Sequence, residues 1–153
     1  MVWKKERGKL GVLAPLLGTW MAQADSPMGV VMCTRAFTKV LGGKYVQLKA
    51  IWQIGERLHP GTSEGSYGEI ALFGIADGVL TCWSFTSDGK RSLGVISPAP
   101  DIHAEAICFE AEMPAGMARQ IYWPSGQGMS WAVESRNKKG WHRFTEHQYT
   151  PMG

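Results

Sequence analysis

The chain is expected to form a single all-β domain, an antiparallel up-and-down β-barrel of about ten strands with a short N-terminal helix. Three observations predict it. Apolar and polar residues alternate with period two over long stretches, as in strands with one buried face. Turn signals recur every ~8–17 residues. Beyond the N-terminal segment no helical periodicity appears, so no parallel βαβ unit can be built. Nearly every connection is hairpin-like, which favours a barrel over a sandwich. At 153 residues the chain is long enough for one domain with a sizeable core. Its 44% hydrophobic and 19% charged residues are globular values, and 19 glycines with seven tryptophans suit frequent tight turns.

Taken in order, Leu10, Leu13, Leu16 and Leu17 recur at helical spacing, so residues 10–17 are read as a short helix capping the sheet. Pro15 limits it to a turn or so. Leu16-Leu17-Gly18-Thr19-Trp20 then opens the barrel, which is expected over residues 18–150. Glycine permits the sharp turn there, and Trp20 is placed to plug the end of the closing sheet. Val30–Val40 and Lys44–Ile54 follow, joined at Gly42-Gly43. In the second of these, Val46, Leu48, Ala50 and Trp52 share one face. His59-Pro60-Gly61 marks a longer loop. Tyr67–Ile75, Val79–Thr86 and Arg91–Ile96 are separated by Asp77-Gly78 and Asp88-Gly89. After Ser97-Pro98-Ala99-Pro100-Asp101 come His103–Glu112, Met117–Trp123, Met129–Arg136 and Trp141–Thr150. A barrel of roughly ten strands leaves room for one small ligand.

Several function classes recede on composition. The net charge is only +3. The basic clusters Lys4, Lys5, Arg7, Lys9 and Arg136, Lys138, Lys139 lack an aromatic stacking platform, so no nucleic-acid partner is expected. No segment is long enough to span a bilayer as a helix. Cys33, Cys82 and Cys108 are odd in number, distant and without a C-x-x-C spacing, which reads as three small apolar residues in a reducing, cytoplasmic compartment. Lys4–Lys9, Leu10–Leu17 and Ala22-Gln23-Ala24 outline a secretory leader. Gly11, Pro15 and Gly18 interrupt it, and cleavage would remove Trp20, so the segment is read as part of the fold. Gly61-Thr62-Ser63-Glu64-Gly65 matches G-x-S-x-G, but Pro60 precedes it and a strand follows it. A nucleophile elbow needs the strand before and a helix after. No H-E-x-x-H, phosphate loop or EF-hand loop is present.

Leu17-Gly18-Thr19-Trp20 resembles the G-x-W opening of lipocalin-like (calycin) barrels. Leu41-Gly42-Gly43-Lys44-Tyr45-Val46, Leu72-Phe73-Gly74 with Asp77-Gly78, Trp83-Ser84-Phe85-Thr86-Ser87-Asp88-Gly89, and Met129-Ser130-Trp131 with Gly140-Trp141 and Tyr149 look like a bacterial branch of that group whose function is largely unknown. The likeness runs from Leu16 to Tyr149. The opening is also similar to nitrobindin, a ten-stranded barrel that binds haem through a histidine. The resemblance implies an intracellular ligand binder, although no stretch matches the haem-ligating histidine segment.

Candidate lumen residues follow from strand parity and from charges that interrupt apolar strands. Trp131, with Met129 and Val133, is expected to face inward. On the last strand Trp141, Arg143, Thr145, His147 and Tyr149 share one face. On Val79–Thr86 the inward set is read as Val79, Thr81, Trp83 and Phe85. Arg35, Glu69 and Arg119 break apolar strands, and a charge inside a barrel is costly unless it is paired or meets a ligand. Two readings stand for them. Arg35 or Arg119 pairs with Glu69, or one of them anchors a carboxylate or phosphate head group. Arg143 is expected to stack on Trp20, as the closing arginine does in lipocalin-like barrels.

The expected function is non-catalytic binding of a small hydrophobic or amphipathic molecule, with Trp20, Arg35, Glu69, Trp83, Phe85, Arg119, Trp131, Arg143 and His147 as candidate contacts. One alternative is a haem protein with His147 or His103 as axial ligand. Another is an isomerase or hydrolase using a lumen carboxylate, Glu69 or Glu110. A third is a homodimer or interaction module using an outer sheet face. No catalytic set and no other metal site is expected.

Overall fold

A computed structural model describes residues 3–26, 29–54 and 66–152. Ten antiparallel strands form one closed barrel in which each strand pairs with its sequence neighbours and the last returns to the first. They are β1 (Gly18–Ser26), β2 (Gly29–Val40), β3 (Tyr45–Ile54), β4 (Ser66–Ala76), β5 (Val79–Thr86), β6 (Arg91–Ser97), β7 (Ile107–Met113), β8 (Gly116–Ser125), β9 (Gly128–Asn137) and β10 (Gly140–Pro151). The all-β barrel expected from the period-two pattern is therefore the fold. The His59 loop and the Gly61–Gly65 match lie outside the described residues.

The N-terminal helix is a single 3-10 stretch, Gly11–Leu16, containing Pro15. Leu13 and Leu16 are fully buried and pack into the same core as Trp20, Phe37, Val46 and Leu80, which closes one end of the barrel. Gly18 has φ +117°, a conformation that favours glycine, and it turns the chain from the helix into β1. Trp20 then folds back, and its Nε1 donates to Leu16 O at 2.8 Å. Ala22 is buried in the core as well, so the segment that outlines a leader is built into the barrel wall.

The hairpins follow turn chemistry. Asp77 and Gly78 both have positive φ, +50° and +78°, the mirror-image turn that matches strand twist. The β2–β3 connection is longer than the Gly42-Gly43 pair alone, because Leu41 also has positive φ. Residues 103–106, expected to begin a strand, belong instead to the β6–β7 connection. There Ile102 and His103 both donate backbone N–H to Ala99 O. This loop lies on the outside of the barrel, where Ala99, Cys108, Ile121 and Ala132 form a small second core with Ile102, Ala106 and Trp123.

One irregularity decides which residues face inward. The β9–β10 register runs Tyr149↔Met129, His147↔Trp131, Thr145↔Val133, then shifts to Arg143↔Glu134 and Trp141↔Arg136. Phe144 is the extra residue of a bulge, 64% exposed. A bulge reverses the parity of everything beyond it. Trp141 and Arg143 therefore leave the face shared by Thr145, His147 and Tyr149 and point outward, contrary to the alternation read from the sequence.

Candidate functional site

The lumen holds a cavity of about 890 Å³, bordered by β3 to β10 and reaching the end of the barrel opposite the 3-10 helix. Such a volume accommodates one drug-sized molecule. Its wall is mostly apolar, with Trp52, Phe73, Phe109, Met113, Met117 and Val133 among the lining side chains. Lys90, Arg91 and Arg136 border the open end.

Four polar residues gather in the inner part of its lining, a floor they share with Leu48, Phe73 and Phe109: Glu69, Ser84, Gln120 and Tyr122. Arg35 lies behind them. The register explains how charges on separate strands converge. Arg35 pairs with Ala50 across β2–β3, and Ala50 pairs with Glu69 across β3–β4. The alanine methyl between them leaves the space in which the two long side chains approach. Arg35 Nη2 lies 3.6 Å from Glu69 Oε1, an ion pair beyond hydrogen-bonding distance. The same nitrogen donates to Tyr122 Oη at 2.7 Å and, weakly, to Gln120 Oε1 at 3.5 Å. The guanidinium carbon sits 4.5 Å from the centre of the Trp131 ring, a cation–π contact. Ser84 Oγ donates to Glu69 Oε2, and Trp131 Nε1 donates to Gln120 Oε1 at 3.1 Å.

The electrostatics hold Arg35 and Tyr122 in their protonated forms. Burial opposes the charge on Arg35, but the neighbouring Tyr122 oxygen and Glu69 outweigh it and hold the guanidinium above its ordinary value. Burial pushes the Tyr122 hydroxyl up despite Arg35, so it remains a donor. Burial likewise pushes the Cys82 thiol up to about 12, and Cys108 to about 12; neither is a nucleophile at neutral pH.

Trp52 and Trp131 meet edge to face at 5.6 Å. His147 packs against both, 5.4 Å from each ring, and Tyr149 lies beyond it. The His147 ring does not border the cavity, and its Nδ1 has no hydrogen-bond partner. A haem-ligating histidine needs a face open to the haem, and its other nitrogen is normally fixed by a hydrogen bond. His147 provides neither. His103 is in the β6–β7 loop, where its Nδ1 accepts the Glu105 backbone N–H at 2.9 Å. Neither histidine borders the cavity. Among the described residues no cluster of His, Cys, Asp and Glu suits a metal ion.

The structure divides the sequence-derived candidates. Arg35, Glu69 and Trp131 come together at the lumen floor, and His147 lies beside them. Trp20 sits at the closed end, remote from the cavity mouth. Trp83 and Phe85 are outward, because the β5 residues that line the lumen are Cys82, Ser84 and Thr86. Phe85 is 54% exposed, next to Ile70 and Leu93 on the outer wall. Arg119 does not pair with Glu69, although it is among the residues bordering the cavity. It is outward on β8, where its Nε donates to Glu134 Oε1 at 2.9 Å and its Nη2 to Asp101 Oδ2 at 2.6 Å. The Arg119 bond holds the Asp101 carboxyl below the ordinary carboxylate range. Arg143 does not stack on Trp20. Its Nε donates to the other oxygen of Glu134 at 2.8 Å and its guanidinium lies 5.1 Å from the Trp123 ring. Glu110 is also outward, hydrogen-bonded to Ser97. Ser84, Gln120 and Tyr122 were not singled out in the sequence, and the signal for them was parity: Gln120 and Tyr122 alternate with outward Arg119 and Ile121.

No protein-family model matches the chain, and no curated protein matches it. The fold and lumen define a class, a closed ten-stranded antiparallel barrel of general lipocalin-like form. No helix of the described residues is long and apolar enough to cross a membrane.

Proposed function

We propose that this protein holds one small, predominantly apolar molecule in the barrel lumen and does no chemistry on it. The carrying observation is the 890 Å³ cavity, lined mostly by apolar side chains, with Glu69, Ser84, Gln120 and Tyr122 gathered around Arg35. A packed structural barrel would have no need of such a space, since protein interiors otherwise fill to crystal-like density. A few polar groups in an apolar pocket supply orientation while apolar burial supplies affinity. Glu69 is the one carboxylate at the floor, and its nearest titratable partner is the positioning cation Arg35.

The test is titration with aminoanthracene, a neutral apolar fluorophore. The expected result is saturable one-to-one enhancement with quenching of tryptophan emission, since Trp52 and Trp131 border the cavity. Ala118 also borders it, opposite Ala111 across β7–β8. Ala118→Trp is expected to abolish the enhancement while leaving the circular dichroism spectrum unchanged. Equal enhancement in wild type and variant would show that the dye binds elsewhere and would refute the proposal.

A further inference from the structure

We infer that the lumen selects a neutral ligand whose polar end both donates and accepts hydrogen bonds, a primary carboxamide or a hydroxyl on an apolar body, and rejects carboxylate and ammonium head groups. This rests on the lumen-binding reading and specifies its ligand class.

The inference comes from counting what each floor group has left to offer. Glu69 Oε2 accepts from Ser84, but Oε1 lies 3.6 Å from Arg35 and accepts no hydrogen bond among the described residues. Tyr122 Oη accepts from Arg35, which leaves its own proton without an acceptor. Gln120 Oε1 takes the Trp131 N–H, which leaves the amide nitrogen of Gln120 without a partner. Ser84 Oγ donates and keeps its lone pairs. The floor therefore offers two donors, Tyr122 O–H and Gln120 N–H, beside two acceptors, Glu69 Oε1 and Ser84 Oγ.

Charge points the same way. Arg35 and Glu69 are of opposite sign and adjacent, so the floor is neutral as a unit. The cation is also the inner member of the pair. Arg35 is 1% exposed, absent from the cavity wall, covered by Trp131 and engaged by Tyr122. A ligand carboxylate seated among these groups, past the Lys90, Arg91 and Arg136 cations of the mouth, would lie against Glu69 with Arg35 behind it, and like charges in an apolar surround repel strongly. An ammonium group would meet Glu69, whose field Arg35 already offsets, and would lose its hydration with few acceptors to replace it. A carboxamide loses less on desolvation and fills the set. Its carbonyl accepts from Tyr122 and Gln120, and its N–H groups donate to Glu69 and Ser84. Sites built to hydrogen-bond a polar group discriminate sharply against analogues that leave those partners unpaired.

The experiment compares four ligands that share one alkyl chain, decanamide, decanol, decanoate and decylammonium, by calorimetric titration at neutral pH. Decanamide and decanol are expected to bind at least about tenfold more tightly than either charged analogue. Glu69→Gln, which keeps an acceptor but removes the negative charge, is expected to raise decanoate affinity by about tenfold or more. Decanoate binding the wild-type protein as tightly as decanamide would overturn this inference and leave the lumen-binding reading intact. Decanoate affinity unchanged in a folded Glu69→Gln variant would also overturn it. Failure of all four, together with aminoanthracene, would overturn both.

Discussion

Arg35 shows how a single residue can be visible in a sequence while its role is not. A guanidinium in an apolar strand announces itself, because burying it is costly without partners. Which partners it finds depends on cross-strand register. Arg35 and Glu69 meet because Ala50 stands between them. That relation needs β2, β3 and β4 aligned to the residue. Arg35→Met is therefore expected to cost about 1–3 kcal/mol, because it leaves Glu69, half-buried on the cavity wall, without its counter-charge. Urea denaturation would measure this, and Arg35→Met with Glu69→Gln should recover part of the loss.

His147 makes a second prediction at the same scale. Burial, and then the positive charge of Arg35, hold it below its ordinary value of 6.5. A depressed histidine binds its proton less readily folded than unfolded, so stability rises with pH across the interval between the two values. Its contribution is full above 6.5 and is lost as pH falls from there towards the folded value. The urea midpoint should drop between about pH 7.5 and about pH 5.5, and His147→Phe should flatten that drop. An equal pH slope in the variant would assign the effect to other groups.

At the scale of elements, hairpins were legible and faces were not. Asp77-Gly78 and Asp88-Gly89 mark their turns through local backbone chemistry, which needs no tertiary knowledge. The β10 bulge has no such local signature. Phe144 sits in an unbroken run of strand-forming residues, and only the pairing of Arg143 with Glu134 across β9 shows that the parity has reversed. Arg143 and Trp141 were misassigned for that reason. On β5 the error had a different source. Trp83 and Phe85 look like core residues by type, yet the outer wall of β4–β6 carries them beside Ile70 and Leu93. Deleting Phe144 would remove the extra residue, make the β9–β10 ladder regular and leave Arg143 opposite Glu134 on the outer face. The deletion is therefore expected to fold with a melting temperature within a few degrees of wild type, and Phe144→Ala, which removes only an exposed ring, should stay within about 0.5 kcal/mol of it. Loss of the fold on deletion would show that β10 needs the extra residue to close on β9.

For the molecule as a whole, barrel closure followed from strand count and connection length, but the open lumen did not. Whether ten strands enclose a cavity or a packed core depends on the volumes that meet inside. Here Ala111 and Ala118 are small where larger side chains would fill the space, and Gly94 adds none. The 3-10 helix with Trp20 closes one end, which leaves the end bordered by Lys90, Arg91 and Arg136 as the entrance for the proposed ligand. Intermolecular nuclear Overhauser effects from decanamide to methyl-labelled protein test this directly. Contacts from the alkyl tail to Met113 and Met117, with the head-group end against the Tyr122 ring, are the predicted result. Contacts confined to outer-wall Ile70 and Leu93, or none at saturating ligand, would contradict a lumen that holds its ligand head-down on the Glu69–Ser84–Gln120–Tyr122 floor.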